Sequence, residues 1–393
     1  MGKELLELAK KRQTQTVADR RYLHQNAEIG FKLPKTKAYV WERLKSMGYE
    51  PKECGRCGIT SEVGVGKECF LLRADMDGLP IAERSGEPFS AKNGHMHACG
   101  HDLHTAMLLA AAGLIKEREK ELCCRVRLLF QPAEELLEGA SECIQSGALD
   151  GVTGAMMLHV LPSMPFAVGT AIVSAAGITA PAADFFDISF YGKGCHGSSP
   201  WQGVDSLLMG AQAVTALQAI SAREISPDIP AILTFGRFHA GEADNALAAK
   251  AILSGTLRAM DEKRRAFMKK RMEEIVKSTA RGLRGRARVR YKGGCPCLQN
   301  DEGVSSLVYE RARKSLGEKF VLLSSELPKG GVGGSEDFAY IAEKVPSVMV
   351  GICAGKGGQV RNEPLHSPHV CFDERCMPYG AVLLAAAVLG GEK

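Results

Sequence analysis

Long apolar runs are missing from this sequence. The longest apolar stretch, GAVLLAAAVLGG at 380–391, is well short of the roughly 20 residues that a membrane-spanning helix needs. The N-terminal segment MGKELLELAKKRQ is charged and helical in pattern, and it has no apolar core of the kind found in a secretory signal. We therefore expect no membrane segment, no signal peptide and a cytoplasmic location.

An excess of one sign of charge is also absent. Lys and Arg total 50, Asp and Glu total 45, and the net charge is +5. Charge this mild and evenly spread argues against a nucleic-acid partner and against binding to a membrane surface. A disulfide framework is not expected either, because the 13 cysteines are an odd number in a long chain without a signal.

The composition that is present is that of a soluble globular protein. Of the 393 residues, 45% are hydrophobic and 24% are charged, which are ordinary values. This length predicts two domains, or three at most.

Short apolar runs alternate with helical patterns in the first part of the chain. The runs CFLLRA (69–74), RVRLLF (125–130) and GAMMLH (154–159) are separated by helical patterns at 102–118 and 134–146. Strands spaced by helices are typical of an α/β fold with a mostly parallel central sheet. Ligands of such sheets bind beyond the carboxyl ends of the strands. Each of the three runs ends in or is followed by carboxylate or histidine side chains, which can bind a ligand or transfer a proton.

The pattern changes at about residue 183. From there to residue 294 the sequence predicts the order β-α-β-β-α-β, which is typical of a ferredoxin-like unit. We therefore expect a catalytic domain formed by 1–182 and 295–393, with an inserted α+β lid domain at 183–294.

Two polar clusters are candidates for metal chemistry. In HMHACGHDLH (95–104), Cys99 and His101 stand two residues apart before a helix, and thiol and imidazole suit zinc or a neighbouring transition metal. In FQPAEE, Glu134 and Glu135 follow a strand, so one carboxylate can bind metal while the other holds a water. Two solvated glutamates at a helix N-terminus are the alternative interpretation of the second cluster.

Two isolated histidines complete this set. His159 ends a predicted strand, and His366 lies far downstream in LHSPH. A single histidine is more often structural, but strand ends of one sheet would here supply one Cys, one Glu and three His. Five such groups exceed the needs of one tetrahedral ion, so two metals that share a ligand are expected.

Six motifs occur in a specific order along the chain. They are RADMDGLP (73–80), HACGHDLHTA (97–106), QPAEE (131–135), GKGCHGSSP (192–200), GGSEDF (333–338) and LHSPH (365–369). Together they resemble the motifs of the metallo-amidohydrolases in the aminoacylase-like zinc peptidase superfamily. This family includes hippurate hydrolase, N-acyl-amino-acid amidohydrolases, indoleacetyl-amino-acid hydrolases and related thermostable carboxypeptidases, and the resemblance covers essentially the whole chain.

The resemblance implies a set of site residues. It assigns Glu134 as the general base, Asp75 as a catalytic residue, and Asp75 or Asp77 as the group that orients a ligand histidine. It implies one or two divalent ions, zinc, manganese, cobalt or nickel, held by five ligands. Those ligands are Cys99, His101, Glu135, His159 and His366.

The resemblance also implies roles for the inserted domain. His196 would stabilise the oxyanion, from the same chain or from the partner in a homodimer formed through this domain. Asn245 and Arg258 would hold a substrate carboxylate, for which the guanidinium fork is suited.

The activity implied is cleavage of the amide bond of N-acyl amino acids or short peptides. A metallocarboxypeptidase or dipeptidase would share every motif, and a non-catalytic binding protein with the same fold is an alternative from a different class. The sequence departs from relatives at LLEGA (136–140) and HGSSPW (196–201), which leaves the preferred acyl group open.

Overall fold

The chain forms two compact units in this computed structural model. Residues 2–122, 124–328, 334–356 and 363–389 are described, apart from the side chains of residues 2 and 3. One unit comprises Met1–Thr179, Gln299–Lys329 and Asp337–Lys393, and the other comprises Ala180–Leu298 and Gly330–Glu336.

The first unit is built on an eight-stranded mixed sheet with the order β1-β2-β4-β3-β5-β14-β6-β13. The central pairs β4–β3, β3–β5 and β5–β14 are parallel, as is β6–β13, whereas β1–β2, β2–β4 and β14–β6 are antiparallel. The predicted α/β class with a mostly parallel sheet is confirmed. The strands are β1 (Lys52–Cys54), β2 (Gly58–Val63), β3 (Cys69–Asp75), β4 (Arg125–Gln131), β5 (Gly154–Leu161), β6 (Ala171–Val173), β13 (Val321–Leu323) and β14 (Ser347–Cys353).

Helices cover this sheet, and one of them is buried on nearly all sides. Helix α4 (His101–Glu117) packs against α2, α10 and strand β3, and for that reason residues 106–115 are apolar around the whole circumference of the helix. The other helices of this unit are α1 (Gly2–Lys11), α2 (Gln13–Gln25), α3 (Pro34–Ser46), α5 (Gly139–Gln145), α8 (Glu302–Leu316), α9 (Ala339–Ala342) and α10 (Met377–Ala386).

The second unit has the predicted β-α-β-β-α-β order. Its antiparallel sheet has the strand order β11-β8-β10-β9, and α6 and α7 share a buried apolar core with it. The elements are β8 (Ala182–Tyr191), α6 (Ser206–Ala219), β9 (Ala231–Ala240), β10 (Lys250–Ala259), α7 (Glu262–Gly282) and β11 (Arg286–Cys295). Two further strands, β7 (Gly177–Ala180) and β12 (Leu298–Asn300), pair with each other.

One predicted helix was wrong in its extent. The pattern at 134–146 predicts a single helix, but the chain forms a 3-10 turn at Glu134–Leu136 and only then α5. The cause is local, because Ala133 and Leu137 both have left-handed backbone angles, with φ of 54° and 55°. Such residues cannot continue a right-handed helix.

No helix among the described residues combines the length and the apolar character that a membrane crossing requires.

Candidate metal centre

The predicted ligands of the first unit come from loops at the ends of its central strands. Cys99 lies in the loop before α4, His101 is the first residue of α4, and His159 lies near the end of β5. Gly100 joins the first two with φ of +87°, and a Cβ at this position would lie 2.3 Å from Cγ2 of Val160. A glycine is therefore required for Cys99 and His101 to approach the same point.

The five predicted ligands converge in the structure. Cys99 Sγ lies 3.5 Å from His159 Nε2, and Glu135 Oε1 lies 3.4 Å from His366 Nε2. Donor atoms of Cys99, His101 and His159 form one group in which all atoms lie within 4.8 Å of one another, and those of Cys99, Glu135 and His366 form a second. The two groups share the thiol, as expected for two neighbouring ions.

The imidazole of His101 has the tautomer that a metal ligand needs. Its Nδ1 lies 2.8 Å from the carbonyl oxygen of Asp77, and since a carbonyl only accepts, Nδ1 carries the proton. The other nitrogen, Nε2, is buried and has no hydrogen-bond partner among the described residues. A buried lone pair without a donor is costly, and an ion beside it would satisfy it.

The other donors are consistent with the same class of ion. His159 Nδ1 donates to the carbonyl of Val160 at 2.8 Å, which directs Nε2 towards Cys99. Burial raises the pKa of the Cys99 thiol, so the thiol keeps its proton at neutral pH unless a cation binds at Sγ. Sulfur, imidazole nitrogen and carboxylate oxygen together suit zinc and the neighbouring transition metals.

His366 is held in an unusual backbone conformation. Its φ is +67°, and its N–H donates to the carbonyl of Ala98 at 2.9 Å. A left-handed conformation is strained for a histidine, and such strain is concentrated at functional sites. The hydrogen bond ties His366 to the residue before Cys99.

Asp77 holds the two glutamates through their backbone. Its carboxylate accepts the N–H of Glu134 at 2.9 Å and the N–H of Glu135 at 3.3 Å. Its contact with His101 at hydrogen-bonding distance is made by its own carbonyl, while Oδ1 stays 3.6 Å from that ring. One residue thus positions both the paired glutamates and a histidine.

Asp75 contacts a histidine that the sequence analysis did not single out. Its Oδ1 accepts from Nδ1 of His104 at 2.6 Å, while Nε2 of His104 accepts the N–H of Val160 at 2.9 Å. Burial lowers the pKa of His104 to about 4 in spite of the attraction of Asp75. Because both ring nitrogens are engaged, His104 supports the site rather than binding metal.

A buried arginine connects Asp75 to a distant part of the chain. Arg73 contacts Asp75 Oδ2 at 2.6 Å and Asp337 Oδ1 at 2.8 Å, and its Nε donates to Gln131 at 3.0 Å. Burial alone would raise the pKa of Asp75, but the neighbouring His101, Arg73 and His104, the last of which donates a hydrogen bond, hold it well below its usual range. Arg73 and Asp337 lie in two of the six motifs, which was the available signal for a role.

The remaining predicted residues belong to the second unit. His196 is exposed, and its Nδ1 lies 2.7 Å from the hydroxyl of Ser198. The next residue, Gly197, donates its N–H to the carbonyl of Asn245 at 2.7 Å, which places the His196 loop and Asn245 side by side. Arg258 lies over the ring of Phe185 at 5.6 Å, and its Nη1 is buried with no hydrogen-bond partner in the described part of the chain.

Comparison with known proteins places this geometry in a family. Residues 71–390 match the model of peptidase family M20/M25/M40. The chain belongs to this family. The predicted resemblance and the predicted class of hydrolase are thereby confirmed.

Two relatives and one solved structure are similar over most of their length. The chain is 39% identical over 310 residues to an N-acyl-L-amino acid amidohydrolase of Geobacillus stearothermophilus, covering 76% of this chain and 82% of that protein. It is 34% identical over 383 residues to thermostable carboxypeptidase 2 of Saccharolobus solfataricus, covering 94% and 93%. A dinuclear metal-binding M20 peptidase of Bacillus subtilis has a similar structure, with a TM-score of 0.80, 28% identity, and coverage of 96% and 98%.

Proposed function

We propose that this M20-family chain is a metal-dependent amidohydrolase that cleaves the amide bond of N-acyl amino acids. The observation that carries the proposal is the pair of donor groups that share Cys99, with a buried glutamate beside them. The similarity to an N-acyl-L-amino acid amidohydrolase supports the substrate class.

The proposed ligands are Cys99, His101, Glu135, His159 and His366, and the ions are one or two of zinc, manganese, cobalt or nickel. When bound, such ions polarise a carbonyl group and lower the pKa of a water molecule towards neutral pH. The positions of the two glutamates support different roles. Glu135 lies in the donor group of Cys99 and His366, whereas Glu134, among the described residues, shares no donor group with Cys99, His159 or His366.

Glu134 is assigned the proton transfer. It is almost fully buried, Asp77 fixes its backbone, and the N–H of Asp337 lies 3.4 Å from its Oε1. Its carboxylate takes a proton from the attacking water and gives it to the nitrogen of the departing amine, so that no net proton is consumed by the residue. Asp75 is proposed to act by positioning neighbouring residues, through its contacts with His104 and Arg73.

Residues 183–294, which lie in the second unit, are proposed to form a lid domain. His196 would donate to the developing oxyanion, while Arg258 and Asn245 would hold the substrate carboxylate. The unpartnered Nη1 of Arg258 supports an anionic ligand there. We also propose that this domain carries a homodimer contact.

A panel of substrates tests the proposal. The protein is stripped of metal, reloaded separately with zinc, manganese, cobalt or nickel, and assayed on N-acetyl amino acids and on dipeptides with the same C-terminal residue. We expect hydrolysis of the N-acetyl series, loss of it on metal removal, and loss of it in Glu134→Gln. The control is Glu138→Gln, an exposed glutamate of the same segment.

The main alternative is a metallocarboxypeptidase or dipeptidase, which the similarity to thermostable carboxypeptidase 2 favours. Cleavage of dipeptides without cleavage of any N-acetyl amino acid would establish it. No hydrolysis of either series by any metal form, with ligand binding retained, would indicate a binding protein.

A further inference from the structure

A groove of about 760 Å³ lies on the surface of the first unit. Its lining is formed mostly by the segment from Asn26 to Lys35, together with Arg56, Asn93, His95 and Leu136. None of these residues belongs to the predicted site.

Three segments that line the groove are joined directly to segments of the metal centre. Leu136 directly follows Glu135. Ile29 pairs with Gly78, the residue after Asp77, and the N–H of Gly78 donates to the carbonyl of Glu28 at 2.7 Å. The ring of His95, in the loop that leads to Cys99, lies 3.2 Å from the carbonyl of Ala27. The groove therefore adjoins the metal centre.

The groove presents apolar surface, and several of its polar groups already have partners. Leu136 is 44% exposed, and Phe31 is half-buried beneath the guanidinium of Arg56, 3.3 Å from the ring centre. The carbonyl of Ala27 accepts from Asn93 at 2.8 Å, and the Glu28 carboxylate accepts the N–H of Thr36 at 2.9 Å. An apolar ligand could enter without leaving these groups unsatisfied.

The position of Leu136 depends on specific backbone features. Leu137 has left-handed backbone angles, and so does Gly30, with φ of +56°. A Cβ at Gly30 would lie 2.8 Å from Cδ1 of Leu136, so the leucine side chain lies directly against this backbone. A single exposed leucine is ordinary on a protein surface, but one held by a strained turn beside a metal centre calls for a ligand.

We propose that this groove is the acyl subsite of the enzyme, with Leu136 and Phe31 as residues that determine acyl specificity. The inference rests on the proposed function. Since Arg258 and Asn245 are assigned to the carboxylate end of the substrate, the acyl group is the part left for the first unit to bind. Its occupant is a hydrocarbon chain longer than acetyl, because a methyl group alone would leave Leu136 uncovered.

The first test is a chain-length series. N-acetyl-, N-butanoyl-, N-hexanoyl- and N-octanoyl-L-methionine are compared by kcat/KM on the metal-loaded enzyme. Each fully buried CH2 is worth about a fourfold gain, and burial in an open groove is partial. We expect kcat/KM to rise at least about tenfold from acetyl to hexanoyl at that partial burial.

Variants locate the effect. In Leu136→Trp the indole fills the groove, and we expect the octanoyl-to-acetyl ratio of kcat/KM to fall about tenfold or more. In Phe31→Ala the same ratio should fall several-fold. The matched control is Leu307→Trp on α8, another half-exposed leucine that does not line the groove, and it should leave the ratio unchanged.

The outcomes separate this inference from the proposed function. No cleavage of any N-acyl-methionine by the wild type would overturn the proposed function itself. Cleavage without a chain-length preference, or a preference that persists in both Leu136→Trp and Phe31→Ala, would overturn the acyl subsite alone. Metal content and thermal stability are measured for each variant, so that a folding defect in one leaves the other to decide.

Discussion

Adjacent side chains in this site have different surroundings. Glu134 is almost fully buried, with its Oε1 near the N–H of Asp337, whereas Oε1 of Glu135 lies 3.4 Å from His366 Nε2. The carboxylate of Asp77 fixes the backbone of both. These contacts support the proposal that the two neighbouring glutamates have different roles.

Exchanging each glutamate for glutamine separates the two roles. Glu134→Gln should lower kcat by about 10²–10⁴-fold at normal metal content, because the amide keeps the shape and cannot carry the proton. Glu135→Gln should lose bound metal, since a neutral amide is a poorer ligand. Elemental analysis and steady-state kinetics on both variants measure this. Equal loss of metal in both would show that the assignment is wrong.

His24 predicts a pH dependence of stability. Its Nδ1 contacts Asp102 at 2.9 Å and its Nε2 contacts Glu83 at 3.0 Å. Burial opposes the charge, but these carboxylates raise the pKa of His24 to about 9. Because the pKa of His24 is higher in the folded than in the unfolded chain, protonated His24 stabilises the fold. The stabilisation is complete below about pH 6.5, and it is lost as the pH rises to about 9.

The measurement is the difference in free energy of unfolding between the wild type and His24→Gln, determined by thermal or urea unfolding at several pH values. It should amount to at most about 3 kcal/mol near pH 6 and shrink towards pH 9.5. A difference that stays constant over this range would mean that His24 is neutral in the folded protein.

At the scale of elements, the chemistry depends on how the loops leave the strands. The loop between Asp75 at the end of β3 and His101 at the start of α4 supplies Asp77 and Cys99. Its last residue, Gly100, is packed against Val160 and Phe372. This glycine couples the start of a helix to the positions of two ligands.

Replacing Gly100 should therefore damage stability and metal binding together. In Gly100→Ala a Cβ would meet Cγ2 of Val160 at 2.3 Å in a backbone with φ of +87°. We expect a loss of about 2 kcal/mol or more and reduced metal content. The control is Gly86→Ala, where φ is +76° and nothing lies within 4 Å of the added Cβ. A similar loss of metal in the control would contradict the packing argument.

The sequence was informative about some elements and silent about others. The buried central strands and the apolar part of α4 (106–115) could be predicted because burial on all sides requires continuous apolar runs. The turn at Glu134–Leu136 could not, since the left-handed residues Ala133 and Leu137 carry no glycine or asparagine signal. The tautomer of His101 was equally out of reach, because it is set by a backbone carbonyl 24 residues away.

For the whole molecule, the proposed homodimer gives a prediction about mass. The edge strand β9 and the start of α6 carry exposed apolar side chains, among them Phe238, Leu207 and Leu208. We expect light scattering after gel filtration to give twice the 42.2 kDa of one chain. Leu207→Glu should shift the population to monomer, because a buried unpaired charge opposes association. A wild type that is monomeric at micromolar concentration would refute this contact.

The order of the ligands along the chain has a consequence for biosynthesis. Four of the five proposed ligands lie between Cys99 and His159, and the fifth, His366, follows His159 only after a further 207 residues. Proteins are made from the N-terminus and fold as their segments emerge from the ribosome. A growing chain therefore cannot assemble all five donors until His366 has left the ribosome. The complete metal centre would then form only after this residue is made, and chains terminated before it would lack the ligand that completes the donor group with Cys99 and Glu135.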